Sequence, residues 1–269
     1  MIRDKEKSVV NDLKERPSLI GKRKVKRYLR LARTLLVVFL IVWVFKTFSF
    51  TSRERLPSDA TTHHSFSSPQ TTTTSLRVVL DPGHGGHDVG TIGVSGRYEK
   101  DLVLNIALLT REALIDQSTK AGVHLDVWMT REDDRFISDV NHERAKMVYE
   151  HGGDIFISIH ANSFTDPRVS GTETYYYESN ALMLARIMQR ALVQATGFND
   201  RGIRQADFYM LKETGLPAIL LELGYVTNEA EEKKLWDKTV QKKIAEAIAE
   251  GVLEYISREN EEGGEALSP

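Results

Sequence analysis

The 269-residue sequence contains no cysteine, which excludes both a disulfide framework and a thiolate-bound metal site. It has no internal repeat either, so the pattern is not that of a solenoid or propeller. The formal net charge of −2 conceals a polarity along the chain. Residues 1–55 hold 15 Lys/Arg against 5 Asp/Glu, which leaves 21 basic against 33 acidic residues in the remainder. A body that acidic repels a polyanion, and nucleic acid is not expected as a partner. With 41% hydrophobic residues, the chain has apolar material for one good-sized core plus extensions.

The basic excess leads into residues 31–50, whose centre, LLVVFLIVWVF from Leu35 to Phe45, is uncharged. Arg33 and Lys46 near its ends have stems long enough to carry their charges to a lipid interface. Lys22, Arg23, Lys24, Lys26, Arg27, Arg30 and Arg33 precede this core, the distribution that retains an N-terminus in the cytoplasm. Residues 1–30 therefore read as a basic cytoplasmic leader and 31–50 as an uncleaved transmembrane signal anchor. The rest of the chain is then a single-pass protein's body, outside the cytoplasm at the cell membrane. A cleaved secretory signal is the alternative reading. The long leader and the lack of an Ala-x-Ala-like cleavage site after Phe45 favour the anchor. Residues 51–75, rich in Ser and Thr with a TTTT run, cannot bury enough apolar surface to fold and read as a flexible tether. His63 and His64 within it are assigned no role.

From Leu76 to Ser257 the pattern alternates. LRVVLD reads as a strand, and residues 99–117 as a helix with Leu102, Ile106, Leu109 and Ala113 on one face. LDVWMTR is a strand, VNHERAKMVYEHGG a helix, and DIFISIHAN a buried strand. GTETYYY is a strand, NALMLARIMQRALVQATG a helix stopped by Gly197, and DFYMLK and AILLELG are strands. Asn228 and Glu231 have capping-box spacing, and Val240, Ile244, Ala247, Ile248, Gly251, Val252 and Tyr255 line a last helix. This order implies a single layered α/β domain over 76–257, a mixed sheet with helices on both faces. Residues 258–269 are polar and read as a disordered tail.

DPGHGGHD, from Asp81 to Asp88, follows the first strand, at the strand end where ligands collect in such a fold. Its glycines permit close backbone approach and Pro82 fixes the turn. The G-x-G-x-x-G fingerprint and the P-loop Lys-Ser/Thr are both missing, so neither phosphate cradle is present. What the loop presents is imidazole, at His84 or His87, although a turn histidine can simply make an ordinary hydrogen bond. His160 closes the apolar strand IFISI, where a buried core histidine is the ordinary explanation. Glu222 follows four apolar residues, and an ionised carboxylate there is costly unless paired or bound to a metal. Glu99 opens the 99–117 helix, where the helix dipole alone would favour it. Each ordinary explanation works singly; four such groups, three of them at strand ends that should share one edge of the sheet, are poorly explained by coincidence. Two histidines and a carboxylate with an open position form the ligand set of a catalytic zinc, with a second, non-ligating carboxylate as base for its water. His124, His142 and His151 compete for that role, but the last two lie on a helix and read as surface residues. Arg144 on the same helix reads as part of a structural buried ion pair.

LDPGHGGHDVG, EKD, SIHAN and PAILLELGYVTN, in this order and approximate spacing, closely resemble the zinc-dependent N-acetylmuramoyl-L-alanine amidases of bacterial cell walls, the amidase type 3 family. The resemblance covers about Leu76 to Ser257. It implies one zinc per domain held by His84, Glu99 and His160, with Glu222 as the catalytic glutamate. The implied substrate is peptidoglycan, cleaved at the amide between N-acetylmuramic acid and L-alanine. RGIR at Arg201 to Arg204 and DFYML at Asp207 to Leu211 also look like family stretches bordering the groove, for which His87, Asn162 and Arg204 are the substrate-contact candidates. No wall-binding repeat follows the domain, which leaves the membrane anchor as the expected localising device. The stretches 90–99 and 162–171 leave little room for an inserted blocking helix. Two other functions stand beside this one. A zinc carboxypeptidase-like metallopeptidase would need an arginine clamp, for which Arg204 is the candidate. An inactive wall-binding module would have no use for a buried general base such as Glu222.

Overall fold

The structure, a computed structural model, describes residues 75–138 and 141–265. The expected leader, anchor and nearly all of the tether lie outside the described residues. Among the described residues, no helix is long and apolar enough to cross a membrane.

Short continuous apolar runs become strands buried on both faces, as expected where helices cover a sheet. The elements in chain order are β1 (Leu76–Pro82), α1 (Glu99–Ala121), β2 (Leu125–Met129), α2 (Glu143–Glu150), β3 (Ile155–Asn162), β4 (Thr172–Tyr176), α3 (Leu182–Thr196), β5 (Asp200–Gln205), α4 (Tyr209–Glu213), β6 (Ala218–Tyr225), α5 (Glu229–Leu235) and α6 (Lys238–Glu265). They build one six-stranded sheet of order β2-β1-β3-β6-β4-β5. β2, β1, β3 and β6 are parallel; β4 runs antiparallel to β6 and parallel to β5. The mixed sheet with helices on both faces matches the sequence reading.

The two faces are unequal. Val78, Leu80, Ile155, Ile157, Ile159, Ile219, Leu221 and Leu223 face the larger core with α1, α3 and α6, and α6 packs against both other helices. Each fully buried Leu or Ile there stabilises the fold by about 1.5–3 kcal/mol. On the other face Val79, Phe156, Ala218 and Leu220 form a smaller cluster with Val148 of α2 and Leu211 of α4, against which partly buried residues such as Trp128, Tyr175 and Met210 pack.

Four local readings differ from the sequence. DFYMLK is not a strand: it supplies α4, because short apolar runs do not separate strand from buried helix. The edge strand is instead DRGIRQ, β5, too polar to announce itself. Asn228 caps α5 by accepting from Ala230 N and Glu231 N, but Glu231 does not close a capping box. Its carboxylate instead accepts from Gly171 N and Tyr225 N, at 2.7 and 2.8 Å. Finally, α6 continues past Ser257 to Glu265, with Arg258 paired to Glu254 one turn back.

Arg144 does form the expected buried ion pair. Asp81 is fully buried and accepts from Arg144 Nη1, from Thr130 Oγ1 at 2.6 Å and from Ser158 Oγ at 2.7 Å. Burial opposes its charge, but the guanidinium and the two hydroxyls outweigh that and hold the carboxyl below its usual range. Removing one partner of a buried pair strands the other, so Asp81→Asn should destabilise the fold by about 3–5 kcal/mol in denaturant titration at pH 7. Because the folded pKa lies below the unfolded value of about 3.9, this contribution is complete above that pH and lost as pH falls through the folded value. The stability gap between wild type and variant should therefore narrow below about pH 4.

Candidate active site

The loop after β1 leaves the sheet after Pro82, and its carbonyls need donors that no ladder supplies. Arg131, fully buried, provides them: Nε donates to Pro82 O at 3.0 Å, and Nη2 to Gly83 O at 2.7 Å and Lys100 O at 2.9 Å. Arg144 adds bonds to Pro82 O and His84 O, at 3.1 and 2.9 Å. The loop is thus tied to the start of α1, and His84 is held at φ 60°, a conformation uncommon for residues with a Cβ. Two glycines are required by contact. A Cβ on Gly83 would lie 2.2 Å from the His160 ring, and one on Gly90 would lie 2.7 Å from both Glu99 Oε2 and His84 Cδ2.

This packing brings His84, Glu99 and His160 together, with one ligand atom from each within 4.8 Å of the others. Glu99 Oε1 stands 3.1 Å from His84 Nε2 and 3.2 Å from His160 Nδ1. The same carboxylate accepts from Ala161 N at 3.0 Å and Thr91 N at 2.8 Å, so it is fixed by β3 and the preceding loop rather than capping its own helix. Asp88 Oδ2 lies 2.9 Å from His84 Nδ1 and orients that ring. Burial alone would raise the pKa of Glu99, but hydrogen bonds and charge from His160 and His84 drive it below the usual range. Burial alone would lower that of His84, but Glu99 and Asp88 raise it to about 9. His160 Nε2 is buried without a hydrogen-bond partner among the described residues. Two imidazoles and an anionic carboxylate around one point fit a divalent cation of the zinc type.

Glu222 stands on the next strand. His160 of β3 is its register partner on one side and Glu173 of β4 on the other, so the three form one row across the less covered face. Glu222 Oε2 is shielded from solvent and, among the described residues, without a hydrogen-bond partner. Burial, then the neighbouring charges of Glu99 and Glu173, raise its pKa well above the usual range. Glu173 is itself buried and stays anionic, since Arg201 Nε, Tyr175 OH and Tyr225 OH all donate to it.

Of the groove candidates, Arg204 reaches this row, with Nε 3.6 Å from Glu173 Oε2. His87 does not join the cluster; it is exposed and its ring lies tilted against Phe136 with centroids 3.9 Å apart. Asn162 is used locally, its Oδ1 accepting from Ser163 N at 2.7 Å where the β3–β6 register shifts. His124, His142 and His151 are exposed, His142 stacking on Tyr209 and His151 on Trp128. The sequence reading missed Asp88, Glu173 and Arg131. Only Asp88 offered a signal, as a carboxylate four residues after His84.

The family model for N-acetylmuramoyl-L-alanine amidases matches residues 78–254. The chain belongs to this family. Among its relatives, the amidase AmiA of Escherichia coli is 30% identical over 226 residues, covering 66% of this chain and 75% of that one. The solved catalytic domain of CwlV, an amidase from Bacillus (Paenibacillus) polymyxa var. colistinus, is 40% identical with a TM-score of 0.63, over 68% of this chain and 98% of that one. The CwlD amidase of Clostridioides difficile, solved in complex with the GerS lipoprotein, is 32% identical with a TM-score of 0.61, over 68% and 99%.

For this amidase, orientation of His84 by Asp88 has a measurable consequence. Asp88→Asn should weaken divalent-cation affinity by about 10- to 100-fold, read by competition with a chromophoric chelator. His84→Ala and His160→Ala should each weaken it further, whereas His87→Ala should leave it unchanged.

Proposed function

We propose that the chain is a zinc-dependent N-acetylmuramoyl-L-alanine amidase that uses His84, Glu99 and His160 as metal ligands and Glu222 as general acid–base. Its substrate is the amide between the lactyl group of N-acetylmuramic acid and L-alanine in peptidoglycan. Family membership supports the reaction, and one observation carries the residue roles: Glu222 lies in the same strand row as His160, with a shielded and unpartnered oxygen.

When bound, zinc supplies Lewis acidity, polarising the amide carbonyl and lowering the pKa of water towards about 7. Glu222 takes the proton from water as its oxygen adds to the carbonyl carbon. It returns that proton to the alanine nitrogen as the C–N bond breaks. Its pKa, raised first by burial and then by the charges of Glu99 and Glu173, suits it to hold the proton between these events. Glu99, anchored by two backbone amides, and Asp88, behind His84, keep the ligand atoms in place.

Place follows from the N-terminal residues. The apolar run at 31–50 holds the enzyme in the cell membrane with its body outside, and residues 51–75 give it reach into the wall. Protease added to intact spheroplasts should release the body as a soluble fragment while leaving residues 1–30 protected; a protected body would reject this topology.

The roles of base and ligand separate in Glu222→Gln, which keeps shape but cannot accept a proton. The variant should retain its zinc and melting temperature while peptidoglycan hydrolysis falls by about 10²- to 10⁴-fold. Mass analysis of wild-type digests should show stem peptides beginning with L-alanine. Trimmed stems would instead indicate a carboxypeptidase, and no product a binding module.

A further inference from the structure

Arg201 and Arg204 are three residues apart, and in a regular strand such residues point to opposite faces. Here they do not, because β5 carries a bulge. Thr172 pairs with Asp200 and Thr174 with Ile203, so both Arg201 and Gly202 face the single residue Glu173. Arg204 pairs with Tyr175, the next residue of β4 on the same face as Glu173. Both guanidinium groups therefore reach one carboxylate.

That carboxylate does not need both. Arg201 Nε donates directly to Glu173 Oε1, Tyr225 OH donates to the same oxygen at 3.0 Å, and Tyr175 OH donates to Oε2. Arg204 Nε stays 3.6 Å away, outside hydrogen-bonding distance, and its side chain is 48% exposed. Arg201 is the less exposed at 32%. A body that is acidic overall thus presents an accessible guanidinium two residues along β4 from the Glu222 row, on the same face. A planar fork of this kind matches a carboxylate through two parallel hydrogen bonds.

Under the amidase reading, on which this inference rests, the substrate limits what that carboxylate can be. The lactyl carboxyl of the muramic acid is consumed in the scissile amide, so the sugar carries no anion. Only the peptide does. We propose that Arg204 is a specificity-determining residue that binds a peptide carboxylate of the substrate, so that the enzyme favours stems whose second residue bears a free carboxylate over amidated stems.

The test uses the full-length, zinc-loaded chain in detergent with two substrates, N-acetylmuramoyl-L-alanyl-D-glutamate and its isoglutamine counterpart, both capped as γ-methylamides so that only the first keeps a carboxylate, at fixed ionic strength. Wild type should cleave the acid with a kcat/KM at least about tenfold above the amide, the scale of one hydrogen-bonded charged contact. Arg204→Gln should bring that ratio to within about twofold of one, and Arg204→Lys, which keeps the charge without the fork, should fall between. Zinc content and melting temperature of both variants should match wild type. The freed dipeptides, L-alanyl-D-glutamate and L-alanyl-D-isoglutamine as their γ-methylamides, titrated by calorimetry, should show the same Arg204-dependent preference. A ratio near one in wild type, or an undiminished ratio in Arg204→Gln, overturns the proposal. If neither substrate is cleaved while the dipeptides keep an Arg204-dependent preference, the amidase reading fails and the carboxylate site stands.

Discussion

Two buried guanidinium groups hold the backbone on which the site is built. Past Pro82, the last residue of β1, Gly83 and His84 are neither strand nor helix, yet the turn must direct its carbonyls inward so that His84 can face Glu99. Arg131 and Arg144 donate to Pro82, Gly83, His84 and Lys100, replacing the ladder the chain has left. Burying cations is costly unless each finds partners. Arg144 finds its anion in Asp81, the first residue of the same loop motif. One cluster of polar side chains therefore fixes the loop, joins β1 to β3 through Ser158 and ties the sheet to α1.

The sheet contributes the rest through register. His160, Glu222 and Glu173 occupy one row on three adjacent strands, where neighbouring side chains lie close enough to feel each other's charge. Reversal of β4 matters here, since it brings the beginning of that strand beside the end of β6. The row consequently sets an anion, held by Arg201 and two tyrosines, next to a carboxyl whose pKa burial and its anionic neighbours raise.

Much of this was legible in the sequence, for physical reasons that can be named. β3 and β6 open as apolar runs that His160 and Glu222 interrupt, and a polar residue breaking such a run marks both in the sequence, although the strands continue past them to Asn162 and Tyr225. Glu99 was legible only as a member of the set, because a carboxylate opening a helix has an ordinary explanation. Arg131 was invisible: an arginine after a strand reads as solvated, and its burial follows from the path of a loop 49 residues earlier. Glu173 was hidden in GTETYYY, since its importance depends on cross-strand pairing rather than on neighbours in sequence. The exchange of β5 and α4 has a related cause. Edge strands bury little, so DRGIRQ carried less apolar signal than the aromatic DFYMLK.

The unequal covering of the sheet bears on what kind of object the enzyme can engage. Helices of 23, 15 and 28 residues carry the larger core, while the face that bears the His160–Glu222–Glu173 row is covered by α2 and α4, of only eight and five. His84 and His160 keep 23% and 14% of their side-chain surface open. A tunnel would demand a free end to thread, and a cross-linked mesh larger than the cell offers few. Ligand-cluster histidines that stay partly open to solvent, under a lightly covered sheet face, suit engagement of the middle of such a mesh.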